Sequence, residues 1–185
     1  MRDLGVIGVG LGGDEANYPP ELYAEPFAYA RANGLHTVAH AGEAAGPESV
    51  RGALDALGAE RIGHGVRSIE DPHLVDDLAR RSIPLELCPT SNRLTGAAPA
   101  DRPHPVGELD RAGCVCTIDA DDPALFSTTL VEEYALVERQ LGYGAVVRLA
   151  GNAIDASFAE PSLKADLRRE LAAFDLETSG ARRMS

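Results

Sequence analysis

Basic charge is in short supply in this 185-residue sequence: 17 Lys and Arg stand against 29 Asp and Glu, for a formal charge of -12. A surface of that sign repels a phosphate backbone, which argues against nucleic acid as a partner. Cysteine is scarce too. Cys88, Cys114 and Cys116 are too few and too irregular for a disulfide framework, and no Cys-x-x-Cys pair suggests a zinc knuckle or redox site. A reducing cytoplasm is the expected setting. No stretch approaches the roughly 18 to 20 apolar residues of a membrane span, and the opening residues show neither the basic flank nor the apolar core of a secretory signal. No membrane partner is expected. What is present is globular composition, 44% hydrophobic and 25% charged. The length suits one domain or a piece of a larger one, since single α/β barrels take roughly 200 to 250 residues.

Short apolar runs alternate with amphipathic segments. Runs at Leu4 to Val9, His36 to His40, Arg61 to Gly65, Ile83 to Cys88 and Cys114 to Asp119 read as strands. Between them lie a helix opening at Pro19-Pro20, a helical segment from Ser49 to Leu57, and another carrying Leu74, Val75 and Leu78. The proline-rich stretch from Arg93 to Pro105 reads as a long loop, followed by a helical piece from Val106 to Ala112. Beyond Pro123 the pattern is helical, with Leu125, Leu130, Tyr134, Val137 and Leu141 as one apolar stripe and further stripes from Val146 to Ile154 and Ser162 to Phe174. Strand-then-helix units with short connections predict a parallel sheet with helices outside. Residues 1–176 are expected to form the domain and 177–185 a frayed tail.

Polar and titratable residues gather where these strands end. Gly13, Asp14 and Glu15 follow the first, His40 and Glu43 the second, His64 the third, Ser91 and Asn92 the fourth, and Asp119, Asp121 and Asp122 the fifth. The C-terminal ends of parallel barrel strands face one mouth, so this placement builds one site. Singly, each has a bland explanation. His40 and His64 can be structural histidines, Glu43 a solvated loop carboxylate, Gly12-Gly13 a turn, and Asp121-Asp122-Pro123 a helix N-cap with proline in its first turn. The cap role is expected to coexist with a site role. Asp14 and Glu15 divide evenly between lining the mouth and capping. His36 lies about 13 Å along the strand from His40, too far to share a metal. His73 and His104 are expected at the surface, and the cysteines as small apolar strand residues.

Five segments in this order, Gly12-Gly13-Asp14-Glu15, His40-Ala41-Gly42-Glu43, Arg61-Ile62-Gly63-His64-Gly65, Cys88-Pro89-Thr90-Ser91 and Asp121-Asp122-Pro123, resemble the adenosine deaminase family over about Val6 to Phe174. The resemblance implies a cytoplasmic zinc-dependent hydrolase that removes the 6-amino group of a purine nucleoside. It implies the α/β fold of a TIM-type (β/α)8 barrel, present here as about the last five parallel strands with outer helices and a C-terminal helical extension. His40 and Asp121 match zinc ligands, with Asp121 also bonded to the attacking hydroxide. Glu43 matches the acid that protonates the purine ring nitrogen, and His64 the histidine that orients the water. Gly13 and Asp122 match residues that hold the far edges of the ring. Zinc lowers the pKa of a bound water to about 7 and supplies a nucleophile for an electron-poor ring carbon. As that carbon is attacked, electron density moves to the ring nitrogen, where an acid must already carry its proton.

The sequence departs from the family in having no His-x-His, the pair that completes the zinc site at the end of the first barrel strand. With two matching ligands where catalytic zinc sites usually take three, metal is expected to bind weakly to this chain alone. The first three strands are expected to be missing, through truncation, a misplaced start or a split gene. The two sheet edges left open invite a second copy or a complementing N-terminal half. Three readings follow: a deaminase completed by other strands, a purine-binding module without turnover, and an inert or assembly-only fragment. Adenosine or deoxyadenosine is the first substrate expected, with adenine and aminofutalosine nucleosides as the alternatives used by relatives.

Overall fold

The structure, a computed structural model, describes residues 4–183, with side chains to residue 178. Five parallel strands pair in chain order: β1 (Gly8–Leu11), β2 (His36–Ala41), β3 (Arg61–His64), β4 (Pro84–Leu87) and β5 (Val115–Ile118). Each new strand adds to the same growing edge, which is how a barrel winds. The crossovers carry α1 (Ala24–Ala32), α2 (Pro47–Gly52), α3 (Pro72–Arg81), α4 (Pro89–Leu94) and α5 (Val106–Arg111). After β5 the chain is helical: α6 (Pro123–Phe126), α7 (Leu130–Leu141), α8 (Tyr143–Ala156) and α9 (Pro161–Arg183).

The strand sequences alternate, and the alternation decides the layers. Ala39, Ala41, Ile62, Leu85, Leu87, Cys116 and Ile118 are buried in one core with Leu54, Leu57, Leu74, Leu78, Leu109 and Leu149 from the surrounding segments. The intervening residues Val38, His40, Glu86 and Val115 stay half-buried or exposed on the opposite face. Helix α3 shows the local logic. Pro72 opens it, the Asp71 carboxylate accepts from the His73 and Leu74 amides, and Arg80 and Arg81 close its last turn. Such a cap is worth about 1 kcal/mol, and the basic last turn suits the helix dipole. Leu74, Val75 and Leu78 then fall on the buried side.

Several expectations shift. The first strand begins at Gly8 rather than Leu4, and Leu4 and Ile7 are 84% and 60% exposed beside the open edge. The segment from Ser49 to Leu57 is two pieces, with α2 passing into a wide π-helical turn over Ala53–Leu57 that ends on left-handed Gly58. Leu125 leaves the expected stripe, because it sits on the separate α6 and is 72% exposed, whereas Val137 is buried. His104 is a correction: it is buried, not at the surface, drawn in by partners described below. The expected tail from Glu177 is helical as far as Arg183, and Met184 and Ser185 lie outside the described residues. No helix among the described residues is long and apolar enough to cross a membrane.

Candidate active site

His40 points from β2 into the open face of the sheet. Its register partner on β3 is Gly63, where a Cβ would stand 3.0 Å from the His40 ring and press the imidazole aside by a few tenths of an ångström. His64 follows, and strict alternation would send it with Ile62 toward the helices. Its backbone instead turns left-handed at φ 61°, and its ring meets His40 edge to face, Nε2 lying 3.2 Å from His40 Nδ1. A non-glycine residue in that region costs about 1–3 kcal/mol, a strain typical of functional sites. Beyond β2, Gly42 turns the chain at φ 68° and brings the Glu43 carboxylate 3.2 Å from His64 Nε2.

Glu15 holds this turn in place. Its carboxylate accepts from the Gly42, Glu43 and Ala44 amides at 2.6, 3.1 and 2.7 Å, tying the loop after β1 to the loop after β2. The even division between lining the mouth and capping is thereby resolved: Glu15 positions the turn that carries Glu43. Asp14 accepts from Asn17 within its own loop.

From the other side come the segments after β4 and β5. Asp121 is also left-handed, at φ 54°, and its carboxylate accepts a 2.6 Å hydrogen bond from the Ser91 hydroxyl while lying 4.0 Å from His64 Nε2. An open cavity of about 320 Å³ is lined by His40, Gly63, His64, Glu86, Cys88, Asp119, Ala120 and Asp121. Glu86, one of its lining residues, pairs with Arg61 at 3.0 Å. Burial pushes the Glu86 and Asp119 carboxyls up, against the pull of Arg61. Burial likewise holds His64 below the ordinary histidine value, outweighing the Glu43 carboxylate that favours its cation.

The expected residues His40, Glu43, His64 and Asp121 are therefore neighbours, supplied by three different strand ends. Gly13 lines a smaller adjoining cavity of about 50 Å³ with His40. Asp122 stands apart: it is exposed at the N-cap position of α6, its side chain makes no capping bond, and it is not among the residues lining either cavity. The side-chain cap expected there is not formed. His36 stacks on Phe158 and pairs with Glu60, and His73 is exposed, so both keep the structural or surface roles expected of them. Ser91 and Asn92 follow the fourth strand in the sequence, which assigns them no role. Their partners, Asp121 and His64, lie 30 and 28 residues away in sequence, which no local pattern announces.

The donors suit zinc in kind. His40, Glu43 and His64 offer ligand atoms within 4.8 Å of one another, and His64, Cys88 and Asp121 form a second such group. Imidazole and carboxylate are zinc donors, and His40 and Asp121 face one cavity. Cys88 is the poorer candidate, since burial pushes its thiol up and zinc needs the thiolate.

Comparison with known proteins follows the same lines. The profile of the family described as "Adenosine deaminase" matches residues 1–174. An aminodeoxyfutalosine deaminase of Streptomyces avermitilis is 46% identical over 173 residues, covering 92% of this chain and 48% of that protein. The crystal structure of an adenine deaminase from Arthrobacter aurescens superposes with a TM-score of 0.86 at 33% identity, over 91% of this chain and 52% of its own. An amidohydrolase from Burkholderia ambifaria, solved with bound zinc, gives a TM-score of 0.87 at 27% identity over 96% of this chain and 50% of its own. The chain spans about half the length of the curated relatives it matches. With its five-stranded sheet, its strand-end constellation and a profile match over nearly all its residues, the chain belongs to the adenosine deaminase family.

Proposed function

We propose that this chain is the C-terminal half of a zinc-dependent hydrolase that replaces the 6-amino group of an aminopurine by oxygen and releases ammonia. The observation that carries the reading is the meeting of His64 with His40 and Glu43 at 3.2 Å and with Asp121 at 4.0 Å. These groups sit where a flat base can enter the open face of the sheet.

His40 and Asp121 would hold the zinc, with the remaining protein ligand coming from outside this chain. When bound, zinc supplies a coordinated water acidic enough to act as nucleophile at neutral pH. The chain's own residues do the rest. Glu43 delivers a proton to the ring nitrogen that gains electron density as the adjacent carbon is attacked. His64 orients the attacking water by hydrogen bonding, and Asp121, held by Ser91, takes up a proton. Gly13, lining the smaller cavity beside His40, would hold one edge of the ring. Asp122 would serve the ring's far edge only after turning inward from its exposed place.

Adenosine loses first place as substrate. Relatives covering 92% and 90% of this chain carry the names aminodeoxyfutalosine deaminase and adenine deaminase, which favours those two amines. The edge at β1 is where complementing strands would pair; at β5 they would have to displace Asn152 of α8, which donates to the outward Cys116 carbonyl at 3.0 Å. The cytoplasm is where the reaction would run. Supplying the N-terminal strands of the adenine deaminase relative, in cis or in trans, should give ammonia release from aminodeoxyfutalosine or adenine that a chelator abolishes. Base binding without ammonia, indifferent to chelation, would instead identify a binding module.

A further inference from the structure

Behind His64 runs a buried line of hydrogen bonds that the reaction scheme above does not use. His64 Nδ1 faces Asn92 Nδ2 at 3.1 Å, and Asn92 Oδ1 faces His104 Nε2 at 3.2 Å. All three residues are buried, with exposures of 2%, 0% and 2%. Imidazole and carboxamide groups can each be turned two ways, so proton positions must be fixed by partners that have no choice. Two backbone amides do this. The Cys88 N–H points at Asn92 Oδ1 at 3.3 Å, which makes that atom the acceptor and leaves Nδ2 as the donor toward His64. The Val106 N–H points at His104 Nδ1 at 3.2 Å, which makes that nitrogen the lone pair and puts the ring proton on Nε2, facing Asn92.

The two ends agree, and together they leave His64 one neutral form. Its Nδ1 accepts from Asn92, so its proton sits on Nε2, the nitrogen that faces Glu43, His40 and Asp121. We propose that Asn92 and His104 are positioning residues that hold His64 as a hydrogen-bond donor toward the mouth and so withhold its Nε2 lone pair from any metal there. This explains why the loop ending in Pro105 is pulled into the fold, with Gln140 of α7 donating to the His104 carbonyl at 2.7 Å. It also gives a reason for α4, whose first turn returns the Asn92 side chain to the Cys88 amide just after β4. The use of that donor in deamination rests on the function proposed above; the proton's location does not.

The test is the long-range 1H–15N correlation spectrum of the chain labelled with 15N-histidine, its five histidines assigned by single substitutions. His64 and His104 should each show a protonated Nε2 and a bare Nδ1. Asn92→Asp puts an acceptor-only group of the same shape against His64, so a proton should appear on His64 Nδ1 while His104 keeps its pattern. A merely structural Asn92 would leave His64 unchanged in that variant, which overturns the proposal. Should the variant not fold, the wild-type spectrum still decides: mixed tautomers, or a proton on Nδ1 of His64, overturn it equally. A completed protein that released no ammonia would sink the proposed function while leaving the ring pattern standing.

Discussion

The two faces of this sheet are made from the same strands and have opposite characters. On the face toward the helices, Ala41, Ile62, Leu85, Leu87 and Cys116 are fully buried. On the other face, one residue away along the same strands, Val38, His40 and Glu86 keep contact with solvent. The first face is finished within this chain: its apolar side chains have found their partners, and burial of this kind is the main source of folding free energy. The second holds the candidate site and is covered only in part, by Phe158 stacked on His36 and by the Ala156 carbonyl bonded to Arg61, because five strands do not close a barrel. Stability and the proposed chemistry are therefore separable by face, and each substitution below tests that separation.

The largest effect should come from the open face. Glu43→Gln keeps the shape of the side chain and removes its proton. In a protein completed with the missing strands, ammonia release should fall by about 10²- to 10⁴-fold, the usual worth of a positioned acid. Zinc content and urea midpoint should stay as they were. Near-normal turnover would mean that another group protonates the ring.

On the finished face, Leu85→Ala should cost about 2–5 kcal/mol, since Leu85 is wholly buried and a core relaxes only partly around such a void. Urea denaturation of the chain measures this. A cost below about 1 kcal/mol would mean that the core is loosely packed and that the contrast between the faces is overstated.

His104 lies behind the open face and links it to acid stability. Burial, with a smaller push from Arg93, lowers its pKa from the ordinary 6.5 to about 3. Below pH 6.5 the unfolded chain takes up a proton that the folded chain refuses, so stability falls as pH drops toward 3. Between pH 7 and pH 5 the loss should be about 2 kcal/mol. His104→Gln does not titrate, and its urea midpoint should lose that much less over the same interval. Identical slopes for the two proteins would show that His104 titrates normally and is not held in the interior.

How much of this is legible in the sequence follows from which contacts are local. The five strands are visible because a short apolar run is a local pattern, and the strand-end positions of His40, Glu43, His64 and Asp121 follow from them. The first strand is misplaced at Leu4 because apolar character alone cannot tell a paired residue from one lying beyond its partner strand. The clamp by Glu15 spans 27 to 29 residues, and the bond from Asn92 to His64 spans 28. No spacing rule reaches across a crossover helix. His104 looks like a surface residue because it sits among prolines, a good guide to backbone shape and a poor one to what the side chain touches. The left-handed turns at His64 and Asp121 escape for another reason: neither is glycine, so nothing in the residue type signals the conformation.

The smallest expected effect is the most useful for the comparison itself. Val38 lies on the open face and is half-buried, while its neighbour Ala39 on the other face is 1% exposed. Val38→Thr keeps the shape and adds a hydroxyl. On a face that water reaches, the hydroxyl finds a partner, and the change should cost less than about 1 kcal/mol of stability in urea denaturation. On a face covered by a second copy or by complementing strands, the same hydroxyl would be desolvated and cost about 1–3 kcal/mol. A small cost that becomes large when the N-terminal strands are supplied would show that they close over this face. A large cost in the chain alone, growing with protein concentration, would show that two copies already cover each other there.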